Sequence, residues 1–200
     1  MIMNDNLILV PIENLVMNFT KLTTQPESSD KVMFKESLWL ENEAATQHLA
    51  GIFAQLCEAE NVFDLGWMIY LKGDLGAGKS FFSRAFVQSF LPEQKVKSPT
   101  YALVENYQTD LGTIQHFDLY RLCDPQELEF LAVRDLLTPP FVALVEWPSK
   151  GEGVLPEADV LIELTVIGEA RKATISACRE RATVFVKKLT EKVGMEFGYD

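Results

Sequence analysis

Apolar and polar positions alternate with changing period along this chain, and each change marks an element. KVMFKESLWL alternates loosely, as a strand does. Asn42 is a fitting N-cap for EAATQHLAGIFAQLCEA, which places Ala45, Leu49, Ile52, Phe53 and Leu56 at helical spacing. WMIYLKG is a short run of bulky residues ending in glycine, the pattern of a buried strand. FFSRAFVQSFL sets Phe82, Ala85, Phe86 and Ser89 on one helical face, and Pro92 closes it. VKSPTYALVENYQ reads as a loop entering a strand, because the residue before Pro99 favours extended geometry. TIQHFDLYRL predicts another strand. Asp124-Pro125 predicts a helix start, with Asp124 as N-cap, Pro125 at the first helical position, and Glu127 and Glu129 where the helix dipole favours acids. FVALVEWP is an apolar run that stops on an acid, GEGVLPEAD is a loop, DVLIELTVI and KATISACR read as late strands, and ERATVFVKKLTEKV reads as a final helix.

Strands alternating with helices predict an α/β fold with a central sheet flanked by helices. Residues 1–35 form an N-terminal extension whose stretch TKLTTQPESSDK has the composition of a linker or flexible arm. LILVPI before that stretch fits a short strand or a docking segment. Residues 36–178 form the main domain, and 179–200 a C-terminal helix or tail.

At 200 residues the chain can bury a sizeable core without staples. No apolar run approaches the ~18 residues of a membrane span. The first residues lack a basic n-region and carry Asp5 and Glu13, against a secretory signal. Cys57, Cys123 and Cys178 are far apart and form no C-x-x-C pair, which disfavours a zinc site or a disulfide framework. These features predict a cytoplasmic protein with no membrane partner. The formal net charge of −11 disfavours direct contact with nucleic acid, whose phosphates require Lys and Arg. It suits solubility, or docking to a basic protein.

One segment carries a specific chemistry. Gly73, Asp74, Leu75, Gly76, Ala77, Gly78, Lys79 and Ser80 match G-x-x-x-x-G-K-[ST] without exception, between a predicted strand and a predicted helix. The glycines let the backbone turn its N–H groups inward, and the helix N-terminus completes an anion site. Lys79 supplies a mobile charge for β and γ phosphates, and the Ser80 hydroxyl suits Mg²⁺. The expected ligand is ATP or a close relative, with Mg²⁺.

Such a loop works with a carboxylate near the metal and a group that orients water. Glu146 closes the run FVALVE, in the manner of a Walker-B strand, and Asp118 lies in HFDLYR. Either acid also fits a capping or ion-pairing role, Asp118 with Arg121 for example. Thr100 is a candidate γ-phosphate sensor or a plain turn residue. Trp147 either stacks on a base or packs. His116 reads as a packed histidine rather than a catalyst.

GDLGAGKSFFSRAF, KSPTYALVENY, HFDLYRL, DPQELEFLAVRDLL and ALVEWPSKGEGVLP, in this order and spacing, together resemble the TsaE family (formerly YjeE) of bacterial tRNA threonylcarbamoyladenosine synthesis. The resemblance runs from about Ser37 to Ala177. It implies an ATPase that uses Mg²⁺ and works beside TsaD and TsaB. Those partners carry the transfer onto adenosine 37 of tRNAs reading codons that start with A, so tRNA is met only through the complex. By the same resemblance Phe81 joins the nucleotide loop, Ser80 and Glu146 serve the metal, and Trp147 neighbours the nucleotide. Asp118 is the candidate for positioning water, with Thr100 the alternative, Glu43 and Thr46 reach the nucleotide from an N-terminal helix, and Arg171 lies near it. The catalytic set is thus expected to be Lys79, Asp118, Glu146 and Thr100. A small-molecule kinase or a non-hydrolysing nucleotide sensor on the same fold are the rival readings.

Overall fold

A computed structural model describes residues 32–99 and 102–197. The N-terminal extension before residue 32, LILVPI included, and Thr100 lie outside the described residues.

The central sheet has seven strands in the order β1-β7-β6-β2-β5-β4-β3. They are β1 (Phe34–Leu40), β2 (Trp67–Lys72), β3 (Val104–Thr109), β4 (Gly112–Asp118), β5 (Phe141–Glu146), β6 (Val160–Ile167) and β7 (Ala170–Ala177). β6, β2, β5 and β4 run parallel, while β1, β7 and β3 add antiparallel edges. Every residue of β5 is buried, because helices or loops cover both sides of a central parallel strand.

Helices α1 (Glu43–Ala59), α3 (Lys79–Phe90) and α6 (Glu180–Phe197) build one core with the sheet, and α2 (Val62–Leu65) is a single turn. Asn42 caps α1 as the sequence suggests, its side chain accepting the Ala45 N–H at 3.0 Å. The predicted apolar face of α1 is buried throughout. On α3, Phe82, Ala85 and Phe86 are buried, but Ser89 is exposed and the buried polar residue is Ser83. Phe53 sits at the centre, with the Phe185 ring of α6 4.9 Å away and the Phe82 and Phe86 rings each 6.0 Å away. α6 therefore packs into the same core as the loop-bearing helix. Burial in this core also pushes the Cys57 thiol well above its ordinary pKa.

The opposite face carries a smaller core of Met68, Phe117, Leu128, Val133 and Val145. One helix was expected to start at Asp124-Pro125, and two single turns are found instead, α4 (Glu127–Phe130) and α5 (Val133–Leu136). Ala132 takes a left-handed conformation with φ 50° and breaks the run between them. Asp124 still organises the start: its Oδ1 accepts the Gln126 N–H at 2.9 Å, and Glu127 accepts the Asp124 N–H at 3.0 Å. Among the described residues no helix is long and apolar enough to cross a membrane.

Candidate functional site

β2 ends at Lys72, and the chain turns through Gly73–Gly78 into α3. The turn needs glycine at its first position for a specific reason. Gly73 has φ 143°, and a Cβ there would lie 2.4 Å from the Leu164 carbonyl oxygen on the adjacent β6. Gly76, with φ 81°, faces open space. Gly73→Ala is expected to cost more stability than Gly76→Ala, which bears only the left-handed penalty of about 1–2 kcal/mol. Urea unfolding of the two variants measures the difference, and equal midpoints would contradict the close approach.

Lys79, at the start of α3, is 4% exposed. Its Nζ donates to the Gly73 carbonyl at 2.7 Å and the Asp74 carbonyl at 2.8 Å, and lies 3.9 Å from the centroid of the Trp147 ring. Burial lowers its pKa, while Glu146, Asp118 and Asp74 push it back up. Trp147 follows β5 in a left-handed conformation, φ 60°, and its ring also meets Tyr120 at 5.0 Å.

The acids arrive on adjacent strands. Asp118 and Glu146 are directly paired in the register of β4 and β5. Both therefore stand at the C-terminal ends of parallel strands, next to the loop, where ligands of α/β sheets bind. Glu146 is 1% exposed and Asp118 6%. Glu146 Oε2 accepts the Ser80 hydroxyl at 2.7 Å, and its Oε1 meets His116 Nε2 at 2.8 Å and the Ser83 hydroxyl at 3.3 Å. Asp118 Oδ1 accepts the Tyr120 N–H at 3.1 Å, and Oδ2 accepts the Ser98 hydroxyl.

These groups wall a cavity of about 430 Å³. From the loop, Leu75, Gly76, Gly78, Lys79, Ser80 and Phe81 line it. Asp118, Glu146 and Trp147 come from the strand ends, Glu43 and Thr46 from α1, and Arg171 from β7. Arg171 lies against the loop, its Nε 3.5 Å from where a Cβ on Gly78 would stand. Gly73, Asp74 and Ala77 do not line the cavity: the first two hold Lys79 through their carbonyls, and Ala77 is buried. Three lining residues, Ser98, Tyr120 and Arg121, were not singled out as site residues in the sequence. Ser83 and His116, behind Glu146, were not either. His116, Tyr120 and Arg121 share the motif HFDLYR with Asp118, and Ser83 and Ser98 lie in GDLGAGKSFFSRAF and KSPTYALVENY, so the available signal was their place in those motifs.

The donor set suits a small hard cation that arrives with phosphate. Ser80 and Glu146 offer one hydroxyl and one carboxylate oxygen side by side at the cavity wall. Mg²⁺ is typically held by one or two carboxylates together with substrate phosphates rather than by an all-protein cage. Among the described residues no group of three or more His, Cys, Asp or Glu is placed to hold a metal alone.

The family model described as "Threonylcarbamoyl adenosine biosynthesis protein TsaE" matches residues 40–174. The protein of that pathway name from Haemophilus influenzae is 48% identical over 110 residues, covering 55% of this chain and 70% of the relative. The one from Rickettsia felis is 35% identical over 136 residues, covering 68% and 75%. The one from Bacillus subtilis is 31% identical over 126 residues, covering 62% and 78%. In fold, the chain is similar to the crystal structure of Bacillus subtilis YdiB, with a TM-score of 0.59, 22% identity, and coverage of 80% of this chain and 96% of that one. The family match spans β2, the glycine loop, α3, β4 and β5, so Lys79, Asp118 and Glu146 all fall within it, and the chain belongs to the TsaE family.

Proposed function

We propose that this chain is a Mg²⁺-dependent ATPase of tRNA threonylcarbamoyladenosine formation, acting with TsaD- and TsaB-like partners. The observation that carries the reading is the convergence of Lys79, Ser80, Asp118 and Glu146 on one cavity at the ends of β2, β4 and β5. The pathway is supported by the names of the relatives. The acidic surface leaves contact with tRNA to the partners.

The loop N–H groups and the N-terminus of α3 bind the phosphates of ATP. Lys79 leaves its two carbonyl partners to neutralise charge on the β and γ phosphates. Ser80 and Glu146 would hold Mg²⁺, which supplies further charge neutralisation at the phosphate oxygens. Asp118 accepts a hydrogen bond from the attacking water through Oδ2, the oxygen that Ser98 occupies in this structure. Water attacks the γ-phosphorus in line, the bond to the β–γ bridging oxygen breaks, and ADP and phosphate leave. Arg171, Glu43 and Thr46 line the same cavity and contact the rest of the nucleotide.

Phosphate release by the full chain, alone and with TsaD and TsaB, tests this with no acceptor molecule present. A slow rate alone and a higher rate with the partners are expected. No release in either case would favour a nucleotide sensor, and release only with an added small-molecule acceptor would favour a kinase.

A further inference from the structure

A fully buried polar contact lies behind the cavity rather than in it. On β4, Ile114 joins the larger core and Phe117 the smaller one. Strand alternation then places His116 and Asp118 on the α3 side, with Ile114. His116 is completely buried. Its Nε2 lies 2.8 Å from Glu146 Oε1, while Nδ1 has no hydrogen-bond partner among the described residues. The imidazole therefore has one polar contact, and that contact is the candidate metal acid.

An ionised carboxylate only accepts, so Nε2 must carry the hydrogen. Ser83, one turn after Lys79 on α3 and also fully buried, approaches the same Oε1 at 3.3 Å. Its single hydrogen is shared with the Lys79 carbonyl at 3.1 Å, which leaves His116 as the constant donor. The other oxygen, Oε2, faces Ser80 at 2.7 Å on the cavity wall. Glutamate has three rotatable side-chain bonds. With Oε1 anchored from a strand and a helix, the remaining oxygen has one direction to point.

We infer that His116 is a positioning residue for Glu146: its Nε2–H, assisted by Ser83, holds Oε1 against the protein and aims Oε2 at the cation site beside Ser80. The inference rests on the reading of Glu146 as the metal-associated acid. Partners of this kind behind a ligand set its orientation, and losing one typically weakens metal binding by about 10–100-fold.

The test uses the full chain with ATP and Mg²⁺ as probes. Nitrogen–proton NMR of the unaltered protein without metal should show His116 hydrogen on Nε2; hydrogen on Nδ1 alone overturns the clamp. ATP binding is then measured by calorimetry in EDTA and across a Mg²⁺ titration, for wild type, His116→Phe and His116→Gln. His116→Phe fills the space without a donor, and His116→Gln restores an N–H toward Oε1. Expected is unchanged metal-free ATP affinity in both variants. The Mg²⁺ half-saturation should rise about 10–100-fold in His116→Phe and less in His116→Gln. A His116→Phe chain with wild-type Mg²⁺ dependence, or one that loses metal-free affinity to the same degree, overturns the inference alone. A wild-type protein whose ATP binding ignores Mg²⁺ defeats the metal reading of Glu146 and the inference with it. If His116→Phe does not fold, His116→Gln and the wild-type spectrum decide the matter.

Discussion

Lys79→Met is expected to lower ATP turnover, measured with partners present, by about 10²–10³-fold, the range for removing one preorganised group that stabilises developing charge. The side chain is nearly enclosed, and the nearby acids Glu146, Asp118 and Asp74 need a cation among them once phosphate adds more negative charge. Lys79→Arg should not restore the rate. The enclosed wall beside the loop suits a compact ammonium that can swing from the Gly73 and Asp74 carbonyls to phosphate, and a planar, bulkier guanidinium cannot make the same move. The same substitution should leave thermal stability unchanged or raise it. Burial is the largest influence on Lys79, and it lowers the pKa despite the acids. A base whose folded pKa lies below its unfolded value costs stability while it is charged in both states, at every pH below the folded pKa. Within that window an apolar replacement removes the cost. A variant that loses both turnover and folding stability would show that Lys79 is chiefly structural.

Arg181→Met is expected to destabilise the fold by about 2–4 kcal/mol, somewhat below the range for breaking a fully buried ion pair. Arg181 Nε donates to Asp159 Oδ1 at 2.6 Å, and Asp159 is completely buried. Asp159 Oδ2 also accepts the Met68 N–H at 2.9 Å, at the start of the strand that leads to the glycine loop. Removing the guanidinium leaves a buried carboxylate with that N–H and with Arg179 at 3.9 Å. Arg179 and the partial exposure of Arg181 soften the loss. Arg181 further donates to the carbonyls of Leu65 and Gly66, both at 3.2 Å, where α2 hands the chain to β2. Thermal or urea unfolding measures the cost. In a double-mutant cycle with Asp159→Asn, the combined change should fall well short of the sum, because each single change strands the other group. Additive effects would mean that the pair is not coupled. α6 extends beyond the residues that match the family model, so this contact ties a segment outside that match to the strand carrying the site.

Several features were legible along the chain because their physics is local. A glycine-rich turn ending in Lys-Ser specifies its own backbone, since few other residues tolerate φ values such as those of Gly73 and Gly78. The buried run ending at Glu146 announced a central strand with an acid at its C-terminal end, and Asn42 announced the start of α1. The order of motifs also sufficed for the family. The stretch after Asp124 misled because its cap and acids favour a helix start, while the left-handed residue Ala132 divides it.

What the tertiary structure alone decided are contacts between residues far apart in sequence. His116 meets Glu146 across 30 positions, Ser83 meets it across 63, and Ser98 reaches Asp118 across 20. Serine and histidine carry no periodic or turn signature that identifies the acid they will face, and His116 therefore read as packing. Its role follows from strand order: β4 lies beside β5 in parallel register, so alternation turns His116 and Glu146 to the same side of the sheet, against α3. The sequence by itself determined the glycine loop and the acids that are proposed to meet phosphate and a cation; the strand order and the packing of α3 decided which side chains contact those acids.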